Sequence, residues 1–80
     1  MSASILTRVP VRSTNLASVG YSPEFQVLDV EFRRRGDLYR YFFVPPRVYA
    51  ELLRASSLGA YFNRFIRDRF PHMKQQLRRA

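Results

Sequence analysis

The sequence predicts an α+β fold: an antiparallel three-stranded β-meander followed by two short helices packed on one face. Strand-like alternation fills residues 16–44, whereas helix-like spacing of apolar residues fills residues 46–66. Pro45 and Pro46 separate the two halves, because proline offers no N–H to a strand but fits the first turn of a helix. With 80 residues, 46% of them hydrophobic, the chain can bury one modest core.

A weak alternation over residues 16–21 predicts the first strand. It places Ala17, Val19 and Tyr21 on one face, and the Ser22-Pro23-Glu24 sequence that follows is typical of a turn. Residues 1–15 are rich in serine, threonine and small residues and are interrupted by Pro10. We therefore expect them to form a loose arm that pairs, at most, at the edge of the sheet.

Residues 26–32 carry the clearest strand pattern in the chain. Successive side chains of a strand point to opposite faces, so the strict alternation here predicts one buried and one solvated face. Asp29 and Glu31 are expected to point to solvent. The residues expected to face the core are Leu28, Val30 and Phe32.

The most aromatic stretch of the chain supplies the next strand, and the fold is arranged around it. Tyr39, Tyr41 and Phe43 share the face without charge, which we assign to the core in preference to a base-stacking surface. The other face carries Arg40 and Phe42 and predicts an apolar patch that could stack a base, form a homodimer contact or be covered. The remaining members of this patch are Val27 and Leu38.

The hairpin between these two strands has a predictable register. A four-residue loop that ends at Gly36 sets Val30 opposite Tyr39 on the core face and Asp29 opposite Arg40 on the other. Glycine is also the residue best suited to the left-handed backbone that such a loop often needs at its end. The same register pairs Leu28 with Tyr41.

Helical spacing begins at Pro46, and Ser56 or Ser57 can cap a second helix that ends before Pro71. Residues 72–80 form a basic tail that could extend as a frayed helix. The apolar positions are Val48, Tyr49, Leu52 and Leu53 in the first helix and Leu58, Tyr61, Phe62, Phe65 and Ile66 in the second.

Several short motifs follow one another in a fixed order: Asn15-Leu16, Ser18-Val19-Gly20-Tyr21-Ser22-Pro23-Glu24, Tyr39-Arg40-Tyr41, Val44-Pro45-Pro46 with Val48-Tyr49, Gly59-Ala60-Tyr61-Phe62-Asn63, Ile66-Arg67 and Phe70-Pro71. Together they resemble the KTSC domain, a small family found at the C-terminus of some lysyl-tRNA synthetases and as stand-alone bacterial and phage proteins. The resemblance covers about residues 11–71. Together with the composition of the two ends, it leads us to expect a flexible arm over residues 1–15, a KTSC-like domain over residues 16–71 and a basic tail over residues 72–80. It suggests RNA binding and offers no catalytic residues. Phe70 departs from the tyrosine that is common in the family.

The charge of the chain predicts a polyanionic or acidic partner. The net charge is +8, and nearly all of the positive charge is arginine, because Lys74 is the only lysine. The planar guanidinium suits phosphate and stacks on bases, which favours RNA. We therefore expect a non-catalytic RNA-binding module; the alternative is a module that binds an acidic protein, such as a component of a translation or transcription complex. We expect two arginine groups to share one phosphate-binding surface: a triplet at the hairpin tip and a second group at the end of the second helix. The predicted nucleic-acid-binding residues are the triplet Arg33, Arg34 and Arg35, the group Arg64, Arg67 and Arg69, and the strand residues Arg40 and Phe42.

The inventory of chemically active residues is poor. His72 is the only histidine and falls in the predicted tail, and the chain has no cysteine. Asp29 and Glu31 alone make an improbable metal site. We therefore expect no enzymatic activity, no cofactor and no metal. No stretch approaches the roughly 20 apolar residues that span a bilayer, so we expect no membrane partner and a cytoplasmic location.

Overall fold

The computed structural model of the chain describes residues 6–75 and confirms the α+β class. The sheet has five antiparallel strands in the order β1-β2-β3-β4-β5, two more than the predicted meander. Both helices follow β4 and precede β5, and they pack on one face of the sheet. The elements are β1 (Val9–Pro10), β2 (Leu16–Ser22), β3 (Val27–Phe32), β4 (Leu38–Tyr41), α1 (Pro46–Arg54), α2 (Leu58–Phe65) and β5 (His72–Gln75).

The two additional strands form the edges of the sheet. β1 pairs with β2 through Val9 and Val19, so the arm meets the sheet at an edge. β5 pairs with β4, and the predicted frayed helix is therefore wrong for residues 72–75. The Phe42 N–H donates to the carbonyl of Pro71 at 2.9 Å, which aligns the chain beside the open edge of β4 and lets β5 satisfy its unpaired backbone groups.

The boundaries of the predicted arm and tail stay predictions, although each of these segments contributes a strand. Residues 1–5 and 76–80, on which part of both predictions falls, lie outside the described residues.

The β3–β4 hairpin has the predicted register. Val30 lies opposite Tyr39, and Asp29 lies opposite Arg40. The N–H of Phe32 donates to the carbonyl of Asp37 at 2.8 Å, which closes a loop over residues 33–36. The pairing of Leu28 with Tyr41 is also confirmed.

Two consecutive residues of this loop adopt the left-handed backbone, Arg35 with φ 72° and Gly36 with φ 66°. The glycine therefore takes the conformation for which it was expected, and an arginine shares it. The loop contains Arg33, Arg34 and Arg35, so its backbone conformation determines the directions of these three side chains.

The core lies between the helices and one face of the sheet. Tyr41 is 3% exposed, and its ring meets that of Phe62 edge to face at 5.4 Å between centroids. The assignment of Tyr41 to the core rather than to an open stacking surface is therefore confirmed. The buried core residues are Leu16, Val19, Leu28, Val30, Tyr41, Val44, Leu52, Phe62 and Ile66.

The alternation predicted for β2 is interrupted by a β-bulge between Leu16 and Ser18. A bulge inserts one extra residue, so the side chains before it exchange faces with respect to those after it. Leu16 and Val19 both reach the core as a result, and Ala17, which was predicted to share the face of Val19, is not part of it.

The placement of Phe43 in the core is wrong. β4 ends at Tyr41, and Phe43 adopts a left-handed φ of 62° that turns its side chain outward, leaving it 72% exposed. Val44 is fully buried in its stead, and its N–H donates to the carbonyl of Gln26 at 2.9 Å. Burial of Val44 and this hydrogen bond offset the cost of a left-handed residue that has a side chain, which is of order 1 kcal/mol.

Both helices begin where the sequence predicts. Pro46 occupies the first turn of α1, and the Ser57 side chain caps α2 by accepting a hydrogen bond from the Ala60 N–H at 3.2 Å. One apolar position of each helix points away from the core, since Leu53 is 43% exposed and Phe65 is 42% exposed. The apolar stripes are therefore narrower than their sequence spacing suggests.

The opposite face of the sheet contains a buried ion pair. The guanidinium of Arg40 donates to both carboxylate oxygens of Asp29, at 2.7 Å from Nε and 2.9 Å from Nη2. Asp29 is only 2% exposed, so the expectation that it points to solvent is wrong, although its pairing with Arg40 is as predicted. The hydrogen bond to this carboxylate raises the pKa of Arg40 above its usual range.

The chain segment before β1 lies across this opposite face. Arg8 Nε donates to Ser18 Oγ at 3.0 Å, and Ser18 Oγ donates to Glu31 Oε1 at 2.7 Å. A Cβ added to Gly20 would stand 2.6 Å from the carbonyl oxygen of Thr7. The segment therefore packs directly on the backbone of β2, which explains why a glycine stands there.

The apolar patch predicted for this face is covered. Val27 is 7% exposed and Leu38 is 8% exposed, whereas Phe42 is half-buried. Of the alternatives that the sequence left open, the structure favours a covered second face over an exposed contact surface.

Candidate nucleic-acid interface

An open cleft of about 620 Å³ lies where the β3–β4 loop, the residues before β2 and the end of α2 come together. We call it the arginine cleft, because three arginines line it and only one acidic residue does. Its lining residues are Thr14, Asn15, Phe32, Arg34, Arg35, Asp37, Phe62, Asn63 and Arg67.

The cations of this cleft come from two separate parts of the chain. Arg34 and Arg35 belong to the β3–β4 loop, in which Arg35 has a left-handed backbone. Arg67 follows α2, where its N–H donates to the carbonyl of Phe62 at 2.9 Å and its Nη1 donates to Asn63 Oδ1 at 3.3 Å. The fold thus brings members of both predicted arginine groups to one surface.

Three other predicted arginines line neither this cleft nor the smaller one described below. Arg33 donates to the carbonyls of Ser13 and Val11, at 2.9 Å and 3.3 Å, and so anchors the segment before β2. Arg64 lies over the ring of the next residue at 5.4 Å, and Arg69 is exposed. Their part in binding stays a prediction.

The remaining predicted residues lie on the other face of the sheet. The side chain of Arg40 is 12% exposed and is paired with Asp29, and Phe42 is half-buried. A guanidinium that already holds a carboxylate with two hydrogen bonds has little left to offer a phosphate. We therefore leave both residues out of the site proposed below.

A smaller cleft of about 290 Å³ adjoins the first and shares Phe32 and Arg67 with it. We call it the aromatic cleft, since rings from three strands form its wall. It lies at the end of α2, above the β4–β5 edge of the sheet. Its lining residues are Phe32, Tyr39, Tyr41, Arg67, Asp68 and His72.

Sequence reasoning missed His72 in this cleft. The β4–β5 pairing sets it opposite Tyr41, with 4.9 Å between ring centroids, and the ring of Tyr39 lies 5.9 Å away. His72 is exposed, whereas Tyr39 is half-buried. The predicted meander did contain one indication of β5. It leaves the aromatic strand β4 with an unpaired edge, and such an edge needs either another strand or a cover.

Among the groups that line the aromatic cleft, the Tyr41 hydroxyl has a raised pKa. Burial raises the pKa of Tyr41 to about 12, against the opposing effect of the Arg67 cation, while Tyr39 and Asp68 raise it further. The Tyr41 hydroxyl is therefore a neutral donor and not a base. In the neighbouring arginine cleft, Lys74 Nζ lies 3.6 Å from Asp37 Oδ1 and partly offsets the charge of that carboxylate.

Among residues 6–75 there is no group of three histidine, aspartate or glutamate side chains placed to hold a metal ion. No helix in the same range has the length and apolar character needed to cross a membrane.

Comparison with known proteins supports the resemblance seen in the sequence. The family model for the KTSC domain matches residues 12–70. A protein of Stutzerimonas stutzeri is 53% identical over 58 residues, which are 72% of this chain and 80% of that relative. A lysine–tRNA ligase of Nostoc punctiforme is 44% identical over 50 residues, which are 62% of this chain but only 9% of the ligase.

The fold is also found in a solved structure. The crystal structure of a KTSC domain protein from Yersinia pestis matches 90% of this chain and 100% of that chain, with a TM-score of 0.85 and 33% sequence identity. The family match covers most of the chain, and the solved relative has the same arrangement of sheet and helices. This chain therefore belongs to the KTSC domain family.

Proposed function

We propose that this KTSC domain is a non-catalytic, cytoplasmic module that binds RNA through the arginine cleft. The observation that carries the proposal is the convergence of Arg34, Arg35 and Arg67, from two separate parts of the chain, on one open cleft. Phosphate binding needs several cations on one surface, and guanidinium groups form paired hydrogen bonds with phosphate oxygens.

The surroundings of these cations fit a ribonucleotide backbone. Asn15, Asn63 and Thr14 line the same cleft and offer amide and hydroxyl groups that can bind phosphate or ribose oxygens. The net charge of +8 adds a long-range attraction for any polyanion, which speeds encounter without selecting a sequence.

The relatives point in the same direction. Two of them are lysine–tRNA ligases, whose name states that they act on a tRNA, and a domain that matches this chain makes up 9% of each. A module attached to such an enzyme could help to hold its RNA, and we extend that role to this chain.

The test is a pair of double variants with the same change in charge. Replacing Arg34 and Arg67 by serine removes one cation from each side of the cleft, whereas replacing Arg47 and Arg54 by serine removes two exposed cations from α1. We expect the first variant to weaken binding of single-stranded and hairpin RNA at least tenfold at low salt. Its salt dependence should be shallower by about one unit per lost phosphate contact.

The second variant is the control and should stay within about twofold of the parent, since only general attraction is lost. Equal weakening in both variants would show diffuse attraction instead of a cleft. If the parent chain binds no RNA more tightly than millimolar at low salt, the proposal is wrong.

An acidic protein partner is the alternative that the sequence left open, and it would use the same cations. An acidic peptide titrated under the same conditions separates the two, because a peptide presents carboxylates without the regular spacing of a phosphate backbone. Tighter binding of the peptide than of RNA, lost in the Arg34 and Arg67 variant, would favour this alternative.

A further inference from the structure

We infer that the aromatic cleft holds one unpaired RNA base, with the adjoining phosphates in the arginine cleft. The inference deepens the proposed function and rests on it. It adds a second kind of contact, to the base, which the cations alone do not provide.

The wall of the aromatic cleft has the chemistry of a base-stacking site. Tyr39 is half-buried and is held by an edge-to-face contact with Phe32 at 5.7 Å between centroids. His72 is exposed beside it, with its ring tilted by 55° to that of Tyr39. Because the two rings are not parallel, a base can stack on the exposed ring of His72 and meet the ring of Tyr39 at its edge; every base has a π-face to offer.

The two clefts meet at residues that belong to both. Arg67 and Phe32 line each of them, so a base in the aromatic cleft would have its own phosphate near Arg67. The chain of phosphates could then continue toward Arg34 and Arg35. One strand of RNA, with one base turned inward, would occupy both clefts at once.

The site fits an unpaired base and disfavours a duplex. Bases within a helix have their faces stacked and their edges paired, so only a loop, a bulge or a single-stranded end can offer one to a cleft of about 290 Å³. Asp68 lines this cleft as well, and its carboxylate accepts hydrogen bonds from exocyclic amino groups. Uracil has no amino group, so we expect cytosine to bind better than uracil.

The experiment measures binding of the full chain to three single-stranded oligonucleotides of equal length. They are oligocytidine, oligouridine and an oligomer of abasic ribose phosphates, which share the same backbone charge. We expect the abasic oligomer to bind roughly tenfold more weakly than oligocytidine, in line with the loss of one stacked base. Oligouridine should lie between them.

Two variants on one strand provide the matched pair. His72→Ala removes the exposed ring of the aromatic cleft, whereas Met73→Ala removes a side chain that is 55% exposed and pairs with Arg40 on the opposite face. We expect His72→Ala to weaken oligocytidine binding roughly tenfold and to leave the abasic oligomer unchanged. Met73→Ala should change neither, and Asp68→Asn should remove the preference for cytidine over uridine.

The outcomes separate this inference from the proposed function. If all three oligomers bind equally, the base site does not exist while binding through phosphates stands. Equal effects of His72→Ala and Met73→Ala would also overturn the base site. If no oligomer binds at low salt, the proposed function falls and the inference falls with it.

Discussion

Both faces of the sheet contain buried residues, but they are buried by different means. On the helix face, aromatic and aliphatic side chains such as Phe62, Leu28 and Tyr41 exclude water. On the opposite face, Asp29 is as deeply buried as these residues, and Arg40 holds it with two short hydrogen bonds. A small domain has thus covered one face by hydrophobic packing and part of the other by pairing charges.

The two faces differ in how the free energy of unfolding responds when one side chain is removed. Truncating a buried apolar side chain costs the transfer free energy of the removed atoms and leaves a cavity. The total cost increases with the volume of that cavity. A buried ion pair contributes little net stability as a pair, because desolvation cancels most of the attraction, yet either partner alone is costly. Variants of the two faces should therefore respond differently to a second, compensating change.

The largest effect is expected on the helix face. Phe62 is 1% exposed, and its ring contacts those of Phe32 and Tyr41 at 5.5 Å and 5.4 Å. Phe62→Ala should lower the free energy of unfolding by about 4 kcal/mol, which is a large share of the stability of so small a domain. Urea denaturation measures the change.

The matched control is Phe65→Ala, on the same helix but 42% exposed, which should cost less than about 1 kcal/mol. Similar losses in the two variants would mean that Phe62 is not the centre of the core.

A somewhat smaller effect is expected on the opposite face. Asp29→Ala leaves the largely buried Arg40 cation without its carboxylate and should cost about 3 kcal/mol. Replacing both residues by apolar ones, as in Asp29→Leu with Arg40→Met, should recover most of that loss. A double variant as unstable as Asp29→Ala would contradict the contrast between the two faces.

The smallest of the three effects concerns the segment that crosses this opposite face. Gly20→Ala should cost about 1 kcal/mol, because its Cβ would come within 2.6 Å of the Thr7 carbonyl oxygen and displace the segment. The same substitution in a chain that begins at residue 9 should cost almost nothing. If the cost is equal in both chains, the contact with Thr7 is not its cause.

The β3–β4 hairpin was predictable because one register alone satisfies both faces at once. The pairing of Tyr39 with Val30 and of Arg40 with Asp29 follows from side-chain alternation, and Gly36 marks the end of the loop. The burial of Asp29 did not follow, since a charged residue in an alternating strand normally faces water.

Other features could not be predicted, because no local sequence pattern indicates them. Phe43 has a left-handed backbone although it is not a glycine. The bulge between Leu16 and Ser18 changes which side chains share a face, but no particular residue type indicates it. β5 forms because an edge is open, which is a property of the assembled sheet.

The candidate site was foreseeable in part. The arginine groups were expected to share a surface, and Arg34, Arg35 and Arg67 do line one cleft. His72 could not be included, because its place in the cleft depends on β5. Arg40 was included because it shares a face with Phe42 that could have been open to a base, whereas the structure pairs it with Asp29.

The order of the strands has a consequence for any longer protein that carries this domain. The chain enters the sheet at one edge, β1, and leaves it at the other, β5. Four strand spacings separate these edges by about 19 Å. Partners fused directly before β1 and directly after β5 would therefore be held on opposite flanks. In a circular permutant, the connection from β5 back to β1 would have to be at least about six residues long.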